Sequence, residues 1–314
     1  MLGADDGGAI AAAYGLGEAL SLTGPVARGE EGQVWRLETT RGSWAVKETF
    51  EALAETDVAE AAAFHEAAAL AGIATPRLVR TPEGAVLHHC GSSPVRVYEW
   101  VDLGRPDIHV DPEAVGRLLG AIHLVGFEGT APVRPWDTDP VGAARWRELA
   151  AALADARGPY ADRLAALCDE LIALEALLEP ACALATCHRD LWADNVLPTP
   201  SGGLCVVDWD SCGLAGHGQE LAQVLFEFGA DEAARTRTLY RTYVEAGGPG
   251  RVSQPGDFSM VIAQLGHIGE RAISIWLDPH TPGAERDRQV PRIEEFVAVP
   301  FTREWIDRIL AAVG

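Results

Sequence analysis

The sequence predicts an α+β chain in two lobes, a small β-rich lobe over residues 1–101 and a larger, mainly helical lobe over 102–314. Three observations carry this. Strand-like runs separated by turn residues cluster before residue 101, and helical periodicity dominates after it. A hairpin signal from Cys187 to Asp210 interrupts the helical half. The 314 residues, 48% of them hydrophobic, suffice for two cores.

Residues 1–20 are rich in Ala and Gly, with apolar Ile10, Tyr14, Leu16 and Leu20, and predict a short helix. β structure is expected from Ala27 to Glu48. Gln33–Glu38 and Ser43–Glu48 are two strand-like runs around a Thr39–Gly42 turn. Ahead of them, Arg28-Gly29-Glu30-Glu31-Gly32 is either a plain turn or a loop whose glycines let backbone N–H groups approach phosphates. Alternation sets Lys47 on the strand face opposite Trp44 and Val46.

An Ala-rich helix is expected over Asp57–Leu70, ended by Gly72 and Pro76; Asp57 and Glu60 have capping-box spacing. Ala85–His89 and Pro94–Val101 read as a β-hairpin, after which Asp102-Leu103-Gly104 turns helical. His88-His89-Cys90 is not a metal site, because adjacent strand residues point to opposite faces.

Asp111-Pro112 starts a helix with Val115, Leu118, Leu119 and Ile122 on one face; His123 beside that stripe reads as a packed histidine. Residues 141–186 are helical, with Leu167, Leu171, Leu174 and Leu178 inward. After the hairpin, Leu221, Val224, Leu225 and Phe228 mark another helix, and two or three more fill 231–314.

The chemistry gathers at the hairpin. Pro198, Pro200, Ser201, Gly202 and Gly203 separate Val196-Leu197 from Leu204–Val207. Folding back at Ser201-Gly202 brings Asn195 roughly opposite Asp208, two hard oxygen ligands that suit Mg²⁺. Asp190, five residues before Asn195, is a carboxylate on the loop entering the hairpin.

Composition narrows the partners. A net charge of −21 argues against nucleic acid, whose phosphates need a basic surface. It is compatible with a cationic substrate, and equally with a generally acidic surface. No run is long and apolar enough to span a membrane, and Met1–Asp6 has no basic signal-peptide segment. Six cysteines without a Cys-x-x-Cys pair read as reduced thiols in a cytoplasmic protein.

His188-x-Asp190, then Asn195, a turn, and an apolar strand ending in Asp208 is similar to the core of the protein-kinase-like phosphotransferases. It most resembles the aminoglycoside phosphotransferase family of small-molecule kinases. The resemblance implies a protein-kinase-like two-lobe fold with ATP in the cleft. It makes Asp190 the catalytic base, Asn195 and Asp208 the Mg²⁺ ligands, and Lys47 the partner of the α/β-phosphates. It also implies a helix glutamate paired with Lys47, Glu60 or in reserve Glu66; Glu60 otherwise only caps its helix. Backbone groups of Glu99, Trp100 and Val101 would meet the adenine, and Gly29 and Gly32 would belong to a phosphate loop looser than Gly-x-Gly-x-x-Gly.

Departures from protein kinases point to a small-molecule acceptor. Trp192 stands where they carry Lys, Asp208-Trp209-Asp210 replaces Asp-Phe-Gly, and no Ala-Pro-Glu follows. The family's Asp after the metal Asp is here Glu220, expected to support the loop. The resemblance implies transfer of the γ-phosphate to a hydroxyl of an aminoglycoside-like antibiotic, with choline, a sugar, a fructosamine or a homoserine-like metabolite as alternatives. Trp192, Trp209, Asp194 and Asp210 are the candidate acceptor contacts, and a monomer or homodimer is expected. A nucleotide-binding pseudokinase is the alternative from another class; the intact Lys47, Asp190, Asn195 and Asp208 argue against it.

Overall fold

The computed structural model describes residues 1–29, 32–51, 53–229 and 231–314, and the side chains of these except Ala4 and Asp57. Glu30 and Glu31 of the glycine loop, and the capping role of Asp57, lie outside the described residues. In chain order the elements are α1 (Gly7–Ala13), β1 (Ala19–Arg28), β2 (Gly32–Thr39), β3 (Gly42–Thr49), α2 (Glu55–Leu70), β4 (Leu78–Val79), β5 (His88–Cys90) and β6 (Ser93–Glu99). Next come α3 (Pro112–His123), α4 (Pro135–Thr138), α5 (Ala143–Asp155), α6 (Ala161–Glu175), β7 (Ala185–Cys187), β8 (Val196–Pro198), β9 (Leu204–Val206) and β10 (Gly213–Ala215). The chain ends in α7 (His217–Gly229), α8 (Ala233–Glu245), α9 (Ser259–Leu277), α10 (Gly283–Ala298) and α11 (Arg303–Val313). Four helices thus follow residue 231 among the described residues, where two or three were expected. No described helix is long and apolar enough to cross a membrane.

The chain forms two compact units. The first comprises Met1–Asp107, Leu124–Ala131 and Asp190–Gly213. Its main sheet has the order β1-β2-β3-β6-β4, with β5 also on β6; β8 and β9 form a separate hairpin. Gly42 at φ +142 completes the turn from β2 to β3, and all their pairs from Gly32↔Thr49 to Thr39↔Gly42 are in register. Gly32 admits no side chain: a Cβ there would lie 2.4 Å from the Glu48 carbonyl oxygen. Ile10, Leu37, Val46, Val95 and Val97 are fully buried between α1 and the sheet. Each contributes about 1.5–3 kcal/mol through burial. Glu48 is buried in this core, its carboxylate satisfied by Leu2 N–H, Gln33, Trp35 and Ser93.

The second unit comprises Ile108–His123, Pro132–Arg189 and Leu214–Gly314. Asp111 accepts from the Glu113 N–H at 3.0 Å and Pro112 opens α3, as the sequence predicts. α3 packs on α8 so closely that a Cβ at Gly116 would meet the Leu239 carbonyl at 2.5 Å. A second core joins Trp146, Leu149 and Leu153 of α5 to Leu164 of α6, Ile273 of α9 and Ile293 of α10.

Candidate active site

The first unit holds the hairpin and Lys47. β8 and β9 pair as Val196↔Val206, Leu197↔Cys205 and Pro198↔Leu204. Thr199 N–H closes the turn on Gly203 O at 2.8 Å, with Gly202 at φ +85. This register sets Asn195 opposite Val207, whose N–H donates to Asn195 O at 2.9 Å; Asp208 is one residue beyond. The amides of Asn195 and Val196 both donate to Trp192 O, so a tight turn joins Asp190 to the hairpin. Asn195 Nδ2 then donates to Asp190 Oδ2 at 2.8 Å and to Asp190 O at 2.9 Å. Those acceptors fix the amide's orientation and set Oδ1 on its other side.

Asp208 adopts the left-handed conformation, φ +57. Lys47 Nζ donates to Asp208 Oδ1 and to Asp210 Oδ2, both at 2.6 Å. Arg96, buried on β6 directly across from Lys47, grips both oxygens of Asp210, with Nη2 to Oδ2 at 2.5 Å. Burial opposes the Lys47 charge, but Asp210 and then Asp208 outweigh it and raise its pKa. Burial likewise opposes the Asp210 charge, and Lys47 and Arg96 override it to hold the carboxyl well below the usual range.

Two expectations fall here. Glu60 does not pair with Lys47: its carboxylate accepts from Thr130 N–H and hydroxyl and from Ala131 N–H, the hydroxyl at 2.6 Å. Glu66, the reserve, pairs bidentately with Arg80 at 2.7 and 2.9 Å. Asp210 is not open for a cationic acceptor, since Arg96 and Lys47 occupy both its oxygens.

Trp209 is a further correction. It is 4% exposed, stacked on His65 at 5.2 Å and 5° and edge-on to Phe64, with Nε1 donating to Thr75 Oγ1 at 3.0 Å. It anchors the hairpin to α2. Trp192 is half-buried and Asp194 exposed, so both remain acceptor-contact candidates. At the expected adenine-contact segment, Glu99 N–H donates to Arg77 O at 2.8 Å and Trp100 N–H to Ser43 O at 3.1 Å. The sheet therefore uses those two amides, and Val101 is the first residue of that segment beyond them. Gly29 N–H donates to Gly32 O at 2.9 Å, closing the β1–β2 connection on itself.

In the second unit, Arg189 also has left-handed backbone, φ +64. Its N–H donates to Glu220 Oε1, its C=O accepts from Gln264 Nε2 at 2.8 Å, and its Nη1 donates to Pro132 O at 2.9 Å. Asp137 lies 3.8 Å from that guanidinium, held bidentately by Arg134 and by Gln264 Nε2 at 2.9 Å. Glu220 does support the loop, and His123 is packed: its Nδ1 is 2.8 Å from the Tyr243 hydroxyl and its Nε2 2.7 Å from Glu220 Oε2. Burial works against the Glu220 charge, and the hydrogen bond from His123 overrides it to lower its pKa. Burial, then His123, depress the pKa of His217 to about 4.

The family description "Phosphotransferase enzyme family", APH, matches residues 23–253. The chain belongs to this family. Among solved structures, a spectinomycin phosphotransferase in complex with ADP and spectinomycin superposes with a TM-score of 0.69 at 13% identity, covering 99% of this chain and 98% of that one. An amicoumacin kinase in complex with AMP-PNP and Ca²⁺ gives a TM-score of 0.59 at 14% identity, over 88% of this chain and 87% of the other. These likenesses show the protein-kinase-like fold. In sequence, the homoserine kinase of Beijerinckia indica is 30% identical over 192 residues, 59% of this chain and 57% of that relative. The chain thus spans less than two thirds of the curated relatives it matches.

In this member of the family, Asn195 and Asp208 offer only amide and carboxylate oxygens, a donor set that fits Mg²⁺. Arg96, Asp137 and Gln264 escaped the sequence reading. Arg96 alternates with the buried Val95 and Val97, so periodicity marks it only as pointing away from them. Gln264 interrupts the apolar run Met260–Leu265 of α9, and that lone polar residue was the signal the sequence offered.

Proposed function

We propose that the chain is an ATP-dependent small-molecule kinase that phosphorylates a hydroxyl, with Asp190 as base, Lys47 at the phosphates, and Asn195 and Asp208 as the metal ligands. The observation that carries this is the linked set Asp190–Asn195 and Lys47–Asp208. It unites in one unit a base, a phosphate cation and an oxygen-donor pair. Asn195 holds one Asp190 oxygen, which orients the carboxylate toward an acceptor hydroxyl. As the acceptor oxygen bonds to the γ-phosphorus, its bond to the β-phosphate oxygen breaks and the hydroxyl proton passes to Asp190. The transition state is loose, so alignment and charge neutralisation supply most of the rate. Mg²⁺, when bound, supplies neutralisation of phosphate charge.

The acceptor we propose is an amine-bearing alcohol. The curated relatives are homoserine kinases, and homoserine carries an ammonium group; the acidic chain is compatible with it. That makes an amino-acid alcohol the first to try. The second reading, an aminoglycoside-like antibiotic, rests on the likeness to the spectinomycin enzyme. A panel of homoserine, choline, aminopropanol, spectinomycin, aminoglycosides and neutral sugars, scored for acceptor-stimulated ADP release, tests both. Turnover of the neutral sugars alone overturns the amine requirement, and no turnover of any acceptor favours a pseudokinase.

A further inference from the structure

Lys47 and Arg96 are directly opposed on adjacent strands of the first unit. Two cations in that relation repel unless an anion lies between them. Asp210 is that anion: it takes both arms of Arg96 and, through Oδ2, the Lys47 ammonium at 2.6 Å. Arg96 is only 3% exposed, so its guanidinium depends on Asp210 rather than on solvent for its charge partner. The helix glutamates are committed elsewhere. Glu55 accepts from the amides of Val86 and Leu87 at 2.7 and 2.9 Å, Glu60 from Thr130 and Ala131, and Glu66 from Arg80. Where α2 faces Arg96 and Asp210, across a small cavity, it presents Ala61, Ala62 and His65. Among the described residues, α2 places no carboxylate on that cavity.

We propose that the Arg96–Asp210 pair, not a glutamate of α2, anchors Lys47 for the nucleotide phosphates. Arg96 and Asp210 are thus positioning residues, acting through Lys47. The anchor belongs to the same Asp-Trp-Asp turn that presents Asp208. Lys47 therefore has two partners with different fates. Asp208 would hold the metal where one binds, and Asp210 is the partner that stays with the ammonium. Among the described side chains, the ammonium's partners are Asp208 and Asp210, neither of them on α2. This inference rests on the reading that Lys47 grips phosphate.

The experiment measures ADP affinity in EDTA by calorimetry, which removes the metal from the comparison, with thermal melts on every variant. Lys47→Met and Asp210→Asn should each weaken ADP about tenfold or more, a loss expected when a charged partner goes. Asp210→Asn keeps the side chain's size but leaves the buried Arg96 charge without its anion, as Arg96→Met does to Asp210, so the melts decide which variant is read, and Arg96→Lys, which keeps both charges, tests the anchor where neither folds. Arg96→Lys should fall between wild type and Asp210→Asn. Glu60→Gln should stay within about twofold. The decisive arm is the double variant. If Asp210 acts through Lys47, adding Asp210→Asn to Lys47→Met costs little further affinity; a merely structural role gives additive losses. Additive losses, or a Glu60→Gln effect as large as that of Asp210→Asn, overturn the anchor. A Lys47→Met protein with unchanged ADP affinity instead removes the phosphate reading of Lys47, and the anchor with it.

Discussion

Replacing Gln264 by Leu tests whether its two hydrogen bonds hold the Arg189 backbone, next to the proposed base, in shape. Gln264 is 2% exposed, and its Nε2 donates to Asp137 Oδ1 at 2.9 Å and to Arg189 O at 2.8 Å. Leu removes both bonds and leaves a carbonyl and one carboxylate lone pair buried. A neutral bond contributes about 1 kcal/mol and a charged one about 1.5–3. Because Arg134 still holds Asp137 bidentately, the lower end applies and the loss is about 2–3 kcal/mol. That lowers Tm by roughly 3–5 °C for a chain of this length. The effect on rate follows from the peptide affected. The Arg189 carbonyl belongs to the plane that carries the Asp190 amide, and Arg189 is held at φ +64. Freed on one side, that plane rotates toward ordinary φ and carries Asp190 with it. A displacement of about 1 Å costs on the order of 10²-fold. The expected result is kcat reduced about 10- to 100-fold with nucleotide affinity within about twofold, read by steady-state kinetics beside a melting curve. Gln264→Glu adds a buried carboxylate facing Asp137 and should be less stable at pH 8 than at pH 5. A Gln264→Leu enzyme that melts early but keeps its kcat refutes the positioning argument, and one that also melts normally refutes the hydrogen bonds.

Asp190→Asn should cut kcat by about 10²–10⁴, the range for a general base, with ATP affinity within a few fold; near-normal kcat excludes Asp190 as base. Asp208→Ala should abolish Mg²⁺-dependent nucleotide binding in calorimetry and Asn195→Ala should weaken it less, since Asn is neutral; unchanged affinity in Asp208→Ala removes the metal assignment. Trp192→Ala should raise the acceptor KM several fold, consistent with about 0.5–2 kcal/mol for a cation on an aromatic face, and leave the ATP KM unmoved; the preference for amines should weaken with salt, and an unchanged acceptor KM ends the stacking role. His217 titrates near pH 4 when folded and near 6.5 when unfolded, so the unfolded chain binds the extra proton between them. Its contribution is therefore complete above about pH 6.5 and lost as pH falls toward 4, at most about 3 kcal/mol. Urea melts at several pH values should show this slope flattened in His217→Asn, and an identical slope in both proteins contradicts it.

What the sequence revealed was local. The β2–β3 turn, the Asp111-Pro112 start of α3 and the hairpin at Gly202 were legible because each is set by a few adjacent residues. β1 was missed over most of its length. It is an edge strand containing Pro25, with Leu20 and Val26 exposed, so burial never imposes alternation on it. The register of the catalytic hairpin was read one residue off, because the turn needed one more residue than the Ser201-Gly202 fold supplied. The roles of Glu60 and Asp210 depend on partners 70 to 163 residues away, which no spacing rule reaches. Trp192 and Trp209 are the same residue type flanking the same hairpin. Only the packing of His65, Phe64 and Thr75 makes Trp209 core.

The two left-handed residues of the catalytic segment explain why so many polar groups surround it. Arg189 precedes the proposed base and Asp208 is the proposed metal ligand; each carries a side chain at positive φ. Left-handed backbone costs a non-glycine residue about 1–2 kcal/mol, so it persists only where partners over-determine it. Arg189 is fixed through its N–H, its C=O and its guanidinium by Glu220, Gln264 and Pro132. Asp208 is fixed by Lys47, and its neighbour Val207 by Asn195. Glycine would relieve both positions, but it would surrender the carboxylate at 208 and the guanidinium clamp at 189. Glu220 fits this requirement. Its two oxygens take one partner each, the Arg189 amide and His123, so the loop clamp is tied to α3 through a single buried carboxylate. The strain is held before any ligand arrives, so the alignment of Asp190, Asn195 and Asp208 is met by folding rather than by binding energy.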